Sequence, residues 1–141
     1  IYSHFEEYEN AIDLYTKALQ IDENHLTVLN NRGYVYGLIG KHSEAIEDLD
    51  KVIALDENFA FGWNNRGFSK LKLGQLEDGL KDIQKSLKLD TLNGYAYRNI
   101  GLYHFYKKDY IKALEFYENA LKIDSTVYNI QEYIDEVNLH I

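Results

Sequence analysis

The sequence predicts an all-α solenoid, a row of helical hairpins stacked one on the next. Three observations carry the prediction. Asn30-Asn31-Arg32-Gly33 recurs as Asn64-Asn65-Arg66-Gly67 and, altered, as Arg98-Asn99-Ile100-Gly101, a step of 34 residues each time. Ala11, Ala45, Gly79 and Ala113 keep the same step, and so do Asp22, Asp56, Asp90 and Asp124. Between these markers apolar residues fall at helical spacing. Self-similarity at a fixed period of this length marks a stacked-repeat protein, whose units bury their apolar faces only against neighbours.

Taken in order, Ile1, Tyr2 and Phe5 read as the tail of one helix. A separate helix over residues 8–21 carries Ala11, Tyr15, Ala18 and Leu19 on one face. Asp22-Glu23-Asn24 is a polar turn. The next hairpin starts at Leu26, carries Leu29, Gly33 and Tyr36, and stops near Gly40, because glycine takes a left-handed backbone without steric cost. Its second helix runs from His42 to Leu55, with Ala45, Leu49, Val52 and Ile53 apolar. A third hairpin repeats this through Trp63, Gly67 and Leu71, a stop at Gly74, then Leu76, Gly79, Leu80, Ile83 and Leu87. A fourth has Tyr97, Gly101 and Phe105, a Lys107-Lys108-Asp109 turn, then Tyr110, Ala113, Tyr117, Ala120 and Leu121. Asp135 stands where the register calls for a small residue, so no further helix can pack there. Ile130, Ile134, Val137 and Ile141 therefore read as the stripe of a capping helix. The expected organisation is one domain: residues 1–25 a partial repeat, 26–59, 60–93 and 94–126 three full ones, and 127–141 the cap.

Composition narrows the function. The chain is 45% hydrophobic and 27% charged, enough apolar content for a core. A net charge of −8 argues against nucleic acid and anionic membranes, and favours neutral or basic partners. With no cysteine, disulfides and thiolate zinc sites are excluded. No apolar run is long enough to cross a bilayer and no signal peptide is visible; the location is left open, an upstream targeting segment included, with cytoplasmic favoured. The chain opens on Ile1 and contains no Met, which reads as part of a longer protein. His4, His25, His42, His104 and His140 are scattered, so neither a metal nor another cofactor is expected. Gly40-Lys41-His42-Ser43 fails as a phosphate loop, because Val35 and His42 occupy the glycine and Ser/Thr positions. No nucleophile–base pair stands out, and the chain is read as non-catalytic.

The combined motifs resemble the tetratricopeptide repeat family, whose pattern is W-x2-L-G-x2-Y, then A-x3-F, then P, in about 34 residues. The Trp slot holds Leu29, Trp63 and Tyr97, and the Gly slot Gly33, Gly67 and Gly101. The A-x3-F slot holds Ala11 with Tyr15, Ala45 with Leu49, Gly79 with Ile83 and Ala113 with Tyr117. Arg32 and Arg66 replace the family's Leu, and the closing Pro slot holds Glu23, Glu57, Thr91 and Ser125. By register, Trp63, Tyr97, Tyr8 and Tyr110 are core residues. The resemblance implies a right-handed α-superhelix whose first helices line a concave groove. It puts Asn30, Asn31, Tyr34, Phe61, Asn64, Asn65, Phe68, Tyr95, Arg98 and Asn99 in a peptide-binding site. Thr27, Leu38, Lys72, Leu102 and Tyr106 fall at further groove positions.

Asn31, Asn65 and Asn99 share one register and are expected to form a ladder. A carboxamide offers one acceptor and two donors, so it can bond both the C=O and the N–H of an extended peptide. The same asparagines could instead bond neighbouring helices. Neutral hydrogen bonds at about 0.5–1.5 kcal/mol each, with a few buried aromatics, point to micromolar binding. Chaperone-binding relatives clamp a C-terminal carboxylate with Lys, Asn, Asn, Lys and Arg. Those slots here hold Asn30, Tyr34, Asn65, Tyr95 and Asn99. None is a cation, so acidic C-terminal chaperone tails are not expected to bind. The reading is a scaffold that holds an extended segment of a partner protein. Alternatives are a regulatory or substrate-recruiting region of a larger protein, and a structural module that forms a homo-oligomer through its open N-terminal helix.

Overall fold

The computed structural model describes residues 2–141, with side chains from His4 onward; Ile1 lies outside the described residues. Among the described residues eight helices follow one another: α1 Tyr2–Ile21, α2 Leu26–Leu38, α3 His42–Leu55, α4 Ala60–Lys72, α5 Leu76–Leu89, α6 Gly94–Tyr106, α7 Tyr110–Ile123 and α8 Ile130–Asn138. No strand occurs among the described residues. The helices α2 with α3, α4 with α5 and α6 with α7 form hairpins, and α2, α4 and α6 stand side by side. The result is the helical solenoid the period predicts.

Small residues let each hairpin close. A Cβ on Gly33 would lie 2.8 Å from Leu49, on Gly67 2.6 Å from Ile83, and on Gly101 2.5 Å from Tyr117. Ala45 and Ala113 face these glycines and are fully buried. The recurring aspartates have a different task. Asp22, Asp56, Asp90 and Asp124 each accept the backbone N–H two residues on, at 3.1, 3.0, 3.1 and 2.9 Å, and so fold the turn between hairpins.

Three expectations need correction. The N-terminal segment is not a helix tail plus a separate helix: α1 is continuous from Tyr2 to Ile21. The later hairpins turn on left-handed residues at one register, Gly40 and Gly74 at φ 83° and Lys108 at φ 62°. Glu6 holds that register in α1, and no glycine there favours the left-handed turn. Lys108 turns beside Asp109, whose carboxylate caps α7 at Lys112 N–H, 3.3 Å. Second, Trp63, Tyr97, Tyr8 and Tyr110 are half-buried rather than fully buried, although Tyr97 and Tyr110 do pack against the core around Tyr117. For Trp63 and Tyr97 the polar tips explain it. The Trp63 indole N–H donates to the Glu57 carbonyl at 2.8 Å, and the Tyr97 hydroxyl to the Thr91 carbonyl at 3.3 Å. Third, Ile130, Ile134 and Val137 are buried against α7, but α8 ends at Asn138 and leaves Ile141 exposed.

The substituted Leu slot is also explained. Arg32 grips Asp48 through Nε and Nη2, both 2.7 Å, and Arg66 grips Asp82 at 2.8 and 2.9 Å. Each clasp ties the two helices of one hairpin. In the last hairpin both partners become apolar together, as Ile100 and Phe116.

Candidate functional site

Because α2, α4 and α6 are adjacent, their inner faces form one wall. Gly37 helps, since a Cβ there would already touch the Ser69 hydroxyl at 3.4 Å. Between this wall and the α7–α8 loop lies a cavity of about 310 Å³. It gathers seven of the ten expected site residues: Tyr34, Asn64, Asn65, Phe68, Tyr95, Arg98 and Asn99. Leu38 and Lys72 also line it. Asn30, Asn31 and Phe61 do not; Phe61 is 50% exposed and packs edge-on against Phe59 at 5.7 Å.

The asparagines are hydrogen-bonded between helices. The Asn65 amide donates to Asn30 Oδ1 at 3.2 Å, linking α4 to α2, and the Asn99 amide donates to Asn64 Oδ1 at 3.1 Å, linking α6 to α4. Asn65 keeps its carbonyl oxygen and one N–H available at the cavity wall. Asn99 is only 1% exposed, and its oxygen accepts two bonds from Arg98.

Arg98 organises the centre. Its Nε and Nη2 donate to Asn99 Oδ1 at 3.1 and 2.9 Å, and its Nη1 to the Tyr128 carbonyl at 3.0 Å. The guanidinium lies over the rings of Tyr95, Tyr133 and Phe68 at 5.1, 5.2 and 5.4 Å. Burial pushes the Tyr34 hydroxyl up to about 12; the adjacent Tyr95 adds to the shift and Arg98 opposes it. His42 sits with Nδ1 3.2 Å from the Ser69 hydroxyl, and burial, then Lys72, hold it below the ordinary imidazole range.

Sequence reasoning missed one whole wall. Tyr128, Asn129 and Tyr133 come from the loop and helix expected only to shield the core. Tyr128 N–H donates to the Tyr95 hydroxyl at 3.3 Å, and the Tyr128 side chain stands beside Tyr8 of α1. Asn129 is the turning point, at φ 60°. Asparagine tolerates that conformation better than most residues, which was the available signal. His42 was also missed as a lining residue; it opens α3 two residues after the Gly40 turn.

Among the described residues no group of three His, Cys, Asp or Glu is placed to hold a metal. No described helix is long and apolar enough to cross a membrane.

Two tetratricopeptide repeat models match the sequence, one over residues 27–59 and 94–127, the other over 1–25, together about two thirds of the chain. The chain belongs to the tetratricopeptide repeat family. Repeats of this family are protein-interaction modules. Comparison with curated protein sequences gives no match. Among solved structures, the chain is similar to MamA, at 26% identity and a TM-score of 0.70, covering 97% of this chain and 80% of MamA. A thermophilic TPR protein of Thermus thermophilus superposes with a TM-score of 0.85 at 18% identity, over 97% and 76% of the two chains. The first TPR of Spaghetti (RPAP3), bound to the HSP90 peptide SRMEEVD, gives 0.67 at 21%, over 84% and 94%. At these identities the last two establish the shared fold alone.

Proposed function

We propose that this tetratricopeptide repeat domain is a non-catalytic scaffold that takes an extended segment of a partner protein into the cavity between α2, α4, α6 and the α7–α8 loop. One observation carries the reading: a single cavity of about 310 Å³ collects groove residues from three successive hairpins, in alternating aromatic and amide character. Tyr34, Phe68 and Tyr95 offer ring faces for side chains. Asn65 offers an acceptor and a donor for backbone, and two further asparagines keep Asn65 and Arg98 in place. Such a surface suits a backbone-reading, micromolar interaction, in which a few buried groups give most of the affinity.

The net charge of −8 favours a partner that is neutral or basic overall. Acidic C-terminal chaperone tails are disfavoured on the neutral clamp slots Asn30, Tyr34, Asn65, Tyr95 and Asn99. The domain fits equally the role of a recruiting region within a larger protein.

Selection from a random-sequence peptide library on the parent, beside the double variant Asn65→Ala/Phe68→Ala, tests the reading. Peptides that bind the parent and lose at least about tenfold in the variant, with helicity kept, support it. Equal binding to both proteins refutes it. If no peptide is selected and sedimentation shows a concentration-dependent dimer, self-association through α1 replaces it.

A further inference from the structure

The cavity has a charge opposite to that of the chain. Asp and Glu outnumber Lys and Arg by 23 to 15 over the sequence, yet among the described residues no carboxylate lines the cavity. Arg98 and Lys72 do. Arg98 is 5% exposed and has no Asp or Glu within ion-pair distance among the described residues. Its neighbours are neutral: an amide oxygen, a backbone carbonyl and three aromatic rings. A guanidinium carries five N–H donors, and three are used, so two remain.

An unpaired charge held out of water is costly, and a counter-ion brought to it gains more than one at the surface. The other two arginines show how this chain completes such a group. Arg32 and Arg66 each meet a buried aspartate through two bonds. Arg98 has the buried guanidinium without the aspartate.

We propose that the cavity recognises an acidic side chain, an aspartate or glutamate carboxylate carried within the partner's bound segment, with Arg98 as its anchor and Lys72 as the charge at the rim. The proposal rests on the peptide reading above and names its specificity. Lys72 is exposed and lies over the rings of Phe68 and Tyr106 at 5.7 and 5.8 Å, which leaves its ammonium at the mouth. Glu132 and Glu136 line the adjoining cavity of about 250 Å³ with Lys72, but neither forms an ion pair with it. The negative surface does not prevent capture, because at physiological salt charges beyond about 8 Å are screened. The site differs from a clamp for a chain end, since the slots such a clamp uses are neutral here.

The test is an NMR titration of the domain with three peptides: a capped alanine peptide with one central glutamate, its capped glutamine twin, and the glutamine twin with a free C-terminal carboxylate. The glutamate peptide should shift the Arg98 Nε–H and the Tyr128 amide, and bind about tenfold tighter than the capped glutamine twin, as charge-assisted bonds are about twice as strong as neutral ones. That preference should vanish in Arg98→Gln and shrink in Lys72→Gln, an exposed site whose replacement leaves the fold alone. If both capped peptides shift the cavity resonances equally, the acidic specificity is refuted and the groove reading survives. A preference for the free C-terminus over the internal glutamate refutes the side-chain assignment. If no peptide shifts the cavity, both readings fall.

Discussion

Arg66 and Arg98 lie on neighbouring inner helices and do opposite things. Arg66 is enclosed in charge: a fork onto Asp82, a third bond to Asp50 at 2.9 Å, and Lys70 sharing Asp82 at 3.0 Å. Arg98 is enclosed in aromatic rings and amides, and faces a cavity. The first arrangement is complete, so it fixes how α4 sits on α5. The second has no carboxylate partner among the described residues, and that is the place the proposed acidic side chain would take. On the proposed reading, a repeat protein uses one residue type as a fastener in one hairpin and as a receptor in the next, depending on which register position it occupies.

Breaking the fastener should have the largest effect. Asp82→Ala leaves Arg66 and Lys70 without their shared buried carboxylate and should lower unfolding stability by about 3 kcal/mol, read from urea melts followed by circular dichroism. Next comes replacing the whole clasp by the apolar pair the last hairpin already uses. Arg66→Ile with Asp82→Phe should recover to within about 1 kcal/mol of the parent, because a buried ion pair is commonly matched by well-packed apolar residues. A double variant as weak as Asp82→Ala would show that the charges, not the packing, set the hairpin.

Arg98→Gln sharpens the contrast. It removes no ion pair, but leaves the buried Asn99 oxygen and the Tyr128 carbonyl short of donors, so the same melts should register a loss of about 1–2 kcal/mol, below that of Asp82→Ala. A loss of equal size would make Arg98 a second fastener.

The smallest effect is on pH dependence. Burial lowers both His42 and His104, so each is a weaker base in the folded chain. Above the ordinary imidazole value of about 6.5 both are neutral in either state and contribute nothing. As pH falls through that value the unfolded chain takes up protons first, so stability declines until the lower folded values are passed. His42→Gln should flatten part of that decline. In the parent, NMR titration of His42 should give a value below the ordinary one that rises in Lys72→Gln, since Lys72 is its second depressing influence.

The fold was legible because its determinants repeat. Gly33, Gly67 and Gly101 mark close helix contacts, and the aspartates from Asp22 to Asp124 mark turns, so each copy vouches for the others. The inner faces of α2, α4 and α6 were legible for the same reason, down to Tyr34, Phe68 and Arg98 at the cavity. What could not be read was non-periodic. Glu6 at a turn register leaves α1 unbroken, and the Tyr128 loop folds back over the groove. The clasps lie between: Arg32 to Asp48 and Arg66 to Asp82 share a spacing of 16 residues, visible in the sequence once the two helices are known to face each other. Trp63 shows that a family slot fixes position better than burial, since its N–H draws it toward the Glu57 carbonyl.

The central claim is that a partner's segment lies in the cavity beside Arg98. It is tested most directly by mapping amide shifts on this domain with the tightest library-selected peptide. The account predicts the largest shifts at Tyr34, Asn65, Phe68, Arg98 and Tyr128, at the cavity wall. Shifts confined to the outer helices α3, α5 and α7, with those residues unmoved, would contradict it.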